Sequence, residues 1–238
     1  MQSTRLPGKI MKKLAGRTVL AHVIERSLAI RGVDIVCCAV PDTTVCDPIA
    51  KEAEKFGAVV SRGSETDVLD RYYQAAKMTG ADVIMRITSD CPLIDPAICA
   101  RVLDLRENHG LDYACNNEIP SWPHGLDCEA VRFEWLERAA EEATKPFERE
   151  HVTPYVRSHP DARSKNLATS DARLVDNRWT LDTPEDFEFL SALFEKLPSG
   201  PDAYPYLIPL GIVTQNPDIR ALNSHLHGAH HRPGEPLE

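Results

Sequence analysis

The stretch that decides the fold reads Asp82-Val83-Ile84-Met85-Arg86-Ile87-Thr88-Ser89-Asp90-Cys91-Pro92-Leu93-Ile94-Asp95. Its first half is a largely apolar run, the pattern of a parallel strand buried on both faces, and its second half holds turn formers and acids. The residues that follow, 96–108, begin with proline and read as a helix. Strand, acidic turn and helix form the unit of a sheet wound with helices on both faces. In such sheets ligands collect beyond the carboxyl ends of the strands, which is where Asp90 falls.

The same unit recurs toward the N-terminus. Residues 34–40, Asp-Ile-Val-Cys-Cys-Ala-Val, form a second buried-strand run closed by Pro41-Asp42. A helix over 47–56, Gly57 and a short strand over 58–61 come next, then a loop at 62–65 and a helix to residue 78 that Ser64 or Thr66 caps. Ahead of these, Leu20, Val23, Ile24 and Leu28 recur at helical spacing within 18–30, with Thr18 as the cap, Gly32 as the stop, and Glu25 and Arg26 elsewhere on the wheel. Toward the C-terminus the spacing predicts strands over 112–115, 127–131, 166–169 and 178–181, and helices over 133–143, 147–158 and from Pro184 to 195. The tail beyond 197 is proline-rich, with a short helix at 217–222, and then polar. The fold class is α/β, a doubly wound and mainly parallel sheet in one domain.

Composition excludes several functions. The chain has 238 residues, 26% charged and 42% hydrophobic, ordinary values for a globular protein large enough to bury a sizeable core. No apolar run nears the roughly 20 residues of a membrane-spanning helix, and the start carries no signal-peptide pattern, so a cytoplasmic location is expected. Seven cysteines, including adjacent Cys37 and Cys38, lack disulfide or zinc spacing and read as small buried hydrophobes. A net charge of -9 disfavours a general nucleic-acid binder. An anionic nucleotide must then be met by local cations and a metal.

Those cations lie in Ser3-Thr4-Arg5-Leu6-Pro7-Gly8-Lys9, with two hydroxyls, a proline that fixes one φ and a glycine that frees the next. Hydroxyls and backbone N–H groups donate to phosphate oxygens, a guanidinium forks onto two of them, and an ammonium adds a mobile charge. The residues alone equally suit a solvated turn. Asp90 fits a hard divalent cation such as Mg2+, which takes carboxylates together with substrate phosphates and waters, and it also fits a turn cap. Asp182, in Arg178-Trp179-Thr180-Leu181-Asp182-Thr183-Pro184-Glu185-Asp186, again ends a short strand before a helix and suits either a metal or a cap. Asp95 reads as the start of the helix after it. His225, His227, His230 and His231 read as part of a polar tail rather than a metal site.

Five of these motifs in order carry a resemblance across nearly the whole chain: 3–9 with Leu14-Ala15-Gly16-Arg17-Thr18, then Ser89-Asp90-Cys91-Pro92-Leu93-Ile94-Asp95, Gly125-Leu126-Asp127-Cys128-Glu129, Arg149-Glu150-His151-Val152-Thr153-Pro154-Tyr155, and Leu181-Asp182-Thr183-Pro184-Glu185-Asp186. Together they resemble the cytidylyltransferase family that makes CMP-activated acidic sugars, which includes the CMP-KDO and CMP-sialic acid synthetases, and within it the branch of spore coat polysaccharide biosynthesis protein F. The resemblance implies a fold of the nucleotide-diphospho-sugar transferase type and a Mg2+-dependent transfer of CMP from CTP to a sugar, with pyrophosphate released. It implies that Ser3, Thr4, Arg5, Gly8 and Lys9 bind nucleotide, that Arg5, Lys9 and Asp90 act in catalysis, and that Asp90 and Asp182 hold the metal. Asp127, Glu129, Arg149, His151 and Tyr155 match the sugar side, where Arg149 and His151 would receive a sugar carboxylate. The region 116–170 matches a sugar-side and dimerisation region, 198–238 a C-terminal tail, and the expected assembly is a homodimer.

Two departures stand out. The segment 62–71 lacks an arginine that reads the base in the KDO and sialic acid enzymes and agrees instead with the spore-coat branch. In the family an apolar strand ending Gln-Ala-Arg precedes the phosphate loop at mid-sheet, whereas this sequence opens inside the loop's lead-in. The first strand is therefore expected to lie upstream of Met1, and the strands of 34–40 and 82–88 to flank a vacant or differently filled lane. A glycosyltransferase on the same scaffold is the main alternative, although Ser89-Asp90-Cys91-Pro92 is not its usual Asp-x-Asp. A non-catalytic nucleotide-binding homologue is the other.

Overall fold

The computed structural model describes residues 5–198 and 204–227. In chain order the elements are β1 (Lys13–Leu14), β2 (Arg17–Thr18), α1 (Val19–Leu28), β3 (Cys37–Pro41), α2 (Asp47–Lys55), β4 (Val59–Gly63), α3 (Val68–Thr79), β5 (Val83–Arg86), α4 (Pro96–Asn108), β6 (Tyr113–Cys115), β7 (Glu129–Arg132), α5 (Phe133–Glu142), α6 (Pro146–His151), α7 (Pro154–Ser158), β8 (Ser164–Asn166), α8 (Ala172–Val175), α9 (Pro184–Phe194), α10 (Leu207–Gln215) and α11 (Pro217–Ala221). No helix among the described residues is long and apolar enough to cross a membrane.

Local chemistry explains most boundaries. The Thr18 hydroxyl accepts from the Ala21 N–H and caps α1. Asp95 does the same for α4, accepting from the Ala97 and Ile98 N–H groups at 2.8 and 3.0 Å. The cap of α3 is Asp67, not Ser64 or Thr66, and the Ser64 hydroxyl instead receives the Asp67 N–H. In α1 the spacing misplaces one residue: Leu28 is exposed, while Arg26 is buried, with its guanidinium over the Tyr204 ring and on the Ile94 carbonyl.

β5, β7, β6 and β8 form one sheet in that order. β7 runs antiparallel to both β5 and β6, and β8 runs parallel to β6, so β5, β6 and β8 share one direction. β3 and β4 make a separate parallel pair. Between β3 and β5 lies a cavity of about 720 Å³, lined by consecutive residues of both strand edges and closed by α1 through Leu20 and Val23 and by α3 through Arg71 and Tyr72. Consecutive residues point to opposite faces of a sheet, so it is the strand edges that face this space. No described strand enters the lane.

The largest core cluster joins the N-terminal hairpin to the C-terminal helices. Leu14 and Val19 pack with Leu93, Leu126, Trp179, Phe189, Leu190 and Leu210. Burying each such side chain contributes roughly 1.5–3 kcal/mol, and the packing fixes the 5–18 segment against the start of α9. Three predicted elements differ. The strand expected over 166–169 falls at Ser164–Asn166, as β8, where it pairs with β6. The helix over 147–158 is broken into α6 and α7, because Val152 sits at φ 74° and Pro154 has no N–H to continue the ladder. Residues 178–181 make no strand; they run as an extended segment between two loops, with the Trp179 N–H on the His124 carbonyl at 2.6 Å and the Leu181 N–H on the Asp90 carbonyl at 2.9 Å. Helix α10 falls inside the tail that the sequence presents as proline-rich.

Candidate active site

The site grows from the loop that ends at Lys9. Gly8 adopts φ 67°, a left-handed turn open to glycine at little cost, and the Lys9 N–H closes back on the Leu6 carbonyl at 3.2 Å. Leu6 is buried and anchors the loop. The turn aims the Lys9 ammonium into a cleft, where it meets Asp90 Oδ2 at 2.6 Å and Asp182 Oδ1 at 2.5 Å. Arg5 approaches Asp182 Oδ2 at 4.0 Å from the open side. Ser3 and Thr4 lie outside the described residues.

Backbone bonds explain why residues so distant in sequence meet. Asp90 follows β5 in a tight turn, its carbonyl held by the Leu181 N–H and the Thr180 hydroxyl. That stitch sets Asp182 beside Asp90. Asp182 is then oriented from behind: its own N–H and that of Thr183 donate to Asp186 Oδ2 at 3.0 and 3.1 Å, and Thr183 and Asp186 complete a capping box at the start of α9. Asp186 is fully buried and forks onto Arg178, both contacts at 2.8 Å, while Asn223 donates to its other oxygen at 3.0 Å. The same Arg178 reaches Asp182 Oδ2 at 3.4 Å.

The electrostatics follow from this arrangement. Burial by itself pushes the Lys9 ammonium toward neutrality, but Asp90 and Asp182 together outweigh it and raise its pKa. Burial pushes the Asp182 carboxyl up, and Lys9, Arg178 and Arg5 more than reverse that, leaving it below the usual aspartate range. Two carboxylates that bracket one compact cation are a hard-oxygen donor pair of the kind Mg2+ accepts. No cluster of three or more metal-binding side chains exists among the described residues, so the remaining ligands of such an ion would be waters and substrate phosphates.

Of the sugar-side candidates, Asp127 stays near this cleft. The buried Cys91 thiol, raised first by burial, also feels both Asp90 and Asp127. Asp127 accepts the Gly125 N–H at 2.9 Å and lies 3.5 Å from His124 Nδ1. Gly125 is obligatory: at φ 112° a Cβ would stand 2.5 Å from the Trp179 carbonyl carbon. The other four candidates are engaged by neighbouring residues. Glu129 is buried on β7 against Arg86, the Tyr113 hydroxyl and the Thr153 hydroxyl. Arg149 forks onto Asp67 and the Ala140 carbonyl, tying α6 to α3 and α5. The Tyr155 hydroxyl bonds Glu142, and His151 packs its ring on Phe147. These are contacts that the spacing of the residues alone did not reveal.

A family profile described as Cytidylyltransferase matches residues 1–205. The chain belongs to the cytidylyltransferase family. This cytidylyltransferase is 31% identical over 225 residues to spore coat polysaccharide biosynthesis protein SpsF of Bacillus subtilis, covering 92% of each chain. It is 39% identical over 110 residues to a 3-deoxy-manno-octulosonate cytidylyltransferase of Geobacter sulfurreducens, covering 44% of this chain and 42% of that one. Its fold matches a solved cytidylyltransferase structure from Leptospira borgpetersenii with a TM-score of 0.84 and 29% identity, covering 99% and 94% of the two chains. It is a nucleotidyltransferase.

Sequence reading missed Arg178 as a site residue of this cytidylyltransferase. The signal was present as Arg178, Asp182 and Asp186, spaced by four. It was hidden because the first of the three was read as a strand residue and the last only as an acid suited to a helix N-terminus.

Proposed function

We propose that this cytidylyltransferase is a Mg2+-dependent CMP-sugar synthetase: a sugar hydroxyl attacks the α-phosphorus of CTP, the bond to pyrophosphate breaks, and the sugar leaves as its CMP derivative for surface polysaccharide. The observation that carries the reading is the meeting of Lys9, Asp90 and Asp182, separated by 81 and 173 residues, in one cleft. Asp90 and Asp182 hold the metal, which when bound lowers the pKa of the attacking hydroxyl and offsets the charge that develops. Arg5 and Lys9 bind the β- and γ-phosphates, and Asp127 faces the sugar. Arg178 and Asp186 fix the direction of the Asp182 carboxylate, the kind of positioning on which nucleotidyl transfer depends. The names of the SpsF and 3-deoxy-manno-octulosonate relatives support CTP, a sugar acceptor and a polysaccharide role, and we place the enzyme in the cytoplasm.

The test is pyrophosphate release from each of the four NTPs against a panel of neutral and acidic sugars, with and without Mg2+. The reading expects CTP to be preferred, an acidic sugar to accept, and chelation to stop turnover. Consumption of a preformed nucleotide sugar without pyrophosphate release would instead favour a glycosyltransferase.

A further inference from the structure

The cation already between the two acids belongs to the chain itself. Lys9 touches Asp90 Oδ2 at 2.6 Å and Asp182 Oδ1 at 2.5 Å, so one ammonium is shared by an oxygen of each carboxylate. Those two oxygens can therefore lie no farther apart than the two contacts end to end, a closeness that like charges do not hold unaided. Arg5 and Arg178 both address the other oxygen of Asp182, at 4.0 and 3.4 Å, and neither bridges the pair. We propose that Lys9 is a place-holder for the divalent cation: in the nucleotide-free protein its ammonium fills the gap between the carboxylates, and it leaves for the nucleotide's phosphates when metal binds. This inference rests on the reading of Asp90 and Asp182 as the metal carboxylates.

Three features make the exchange workable. Lysine carries a compact charge on a flexible stem, so it moves by side-chain rotation while the backbone turn at Gly8 stays in place. The ammonium is mostly buried but not sealed, at 16% exposure, beside acids at 22% and 20%. Two short ion pairs, at 2.6 and 2.5 Å, hold it there, so a metal ion entering alone must displace a well-held ammonium. A triphosphate gives that ammonium a new anionic partner. Metal and nucleotide binding are then coupled through Lys9, and the coupling is reciprocal. In the empty enzyme the two acids stay pre-set at metal spacing and bind the ion alone poorly.

Mn2+ alone serves as the probe, with the full chain and no nucleotide, by calorimetry or by electron paramagnetic resonance of the free ion. Lys9→Met and the neutral Lys9→Gln should bind Mn2+ about tenfold or more tightly than the wild type, within the usual range of coupling between sites. Their melting temperatures should rise more on adding Mn2+ than the wild type's does. The wild type supplies an independent readout: saturating Mn2+ should increase acetylation of Lys9 by an amine-reactive ester, read by mass spectrometry against Lys12 and Lys13 as internal references. Unchanged or weaker Mn2+ binding in folded Lys9 variants overturns the proposal. So does Lys9 labelling that does not respond to Mn2+. Loss of Mn2+ binding in Asp90→Asn and Asp182→Asn shows that the metal site itself is correctly assigned. If those two variants bind Mn2+ normally, the site reading has failed and the place-holder fails with it.

Discussion

Asp186 is fully buried and receives donors from Arg178, Asn223, Thr183 and the Asp182 backbone, whereas Asp90 borders the cleft and bears on Lys9. The two acids should respond oppositely to substitution. Asp186→Ala leaves the Arg178 guanidinium buried without its main partner and should cost about 3–5 kcal/mol of stability, read from urea melts. Asp90→Asn keeps the shape and loses one charge in a partly open pair. Its melting temperature should stay within a few degrees while pyrophosphate release falls about a hundredfold or more. Acid sensitivity belongs to the same cluster. Burial pushes the Asp182 and Asp186 carboxyls up, but Lys9 and Arg178 respectively, with further donors, pull them below the ordinary aspartate range in the folded chain. A folded pKa below the unfolded one gives stability that is complete above about pH 4 and is lost as pH falls through the folded values. For this cluster, urea melts should be level from pH 7 to 5 and decline below about 4. Lys9 has the opposite sign: its pKa is raised, so its contribution persists to about pH 10 and fades only above that.

At the scale of elements, the extended 178–182 segment decides whether the site exists, since it has no sheet of its own and is held by the His124 and Asp90 carbonyls. Gly125→Ala pushes a methyl into the Trp179 backbone and forces a residue with a side chain to φ 112°. It should displace Asp182 and lower both stability and activity, whereas an alanine at Gly211, inside α10 where a Cβ meets nothing within 4 Å, should leave activity unchanged and raise stability by up to about 1 kcal/mol. The lane beside β3 yields a second prediction. The β3 edge that faces β4 is paired along Cys37–Pro41, while its other edge faces the cavity. Amides of β3 and β5 directed into the cavity should exchange with deuterium faster than those of the β6–β7 ladder, which is covered on both sides. Equal protection would mean that the lane is closed in solution.

Across the whole molecule, the winding pattern was legible because it is local: the apolar runs 34–40 and 82–88 hold β3 and β5, although their residues are mostly half-buried beside the cavity rather than covered on both faces, and Asp95 with Pro96 announces a helix. The reversed direction of β7 was not legible, since a four-residue strand carries no mark of its neighbours' direction. The break at Val152 was missed because Pro154 also reads as an ordinary helix start. In the site, Asp90 and Asp182 were visible as acids ending apolar runs. Their meeting depends on backbone bonds between 88–91 and 180–182 that no spacing encodes. The sugar-side candidates Glu129, Arg149 and Tyr155 were visible as charged and aromatic residues, but their partners Arg86, Asp67 and Glu142 were not, because no spacing encodes them. Only the fold shows their partners. The account as a whole therefore stands on one cleft shared by Lys9, Asp90 and Asp182, and the most direct measurement is metal-dependent pyrophosphate release from CTP by Asp182→Asn, compared with the wild type and with Gly211→Ala as a control. The account predicts that Asp182→Asn folds and loses about a hundredfold or more of its rate while Gly211→Ala keeps most of it; an Asp182→Asn enzyme that turns over CTP at the wild-type rate would contradict it.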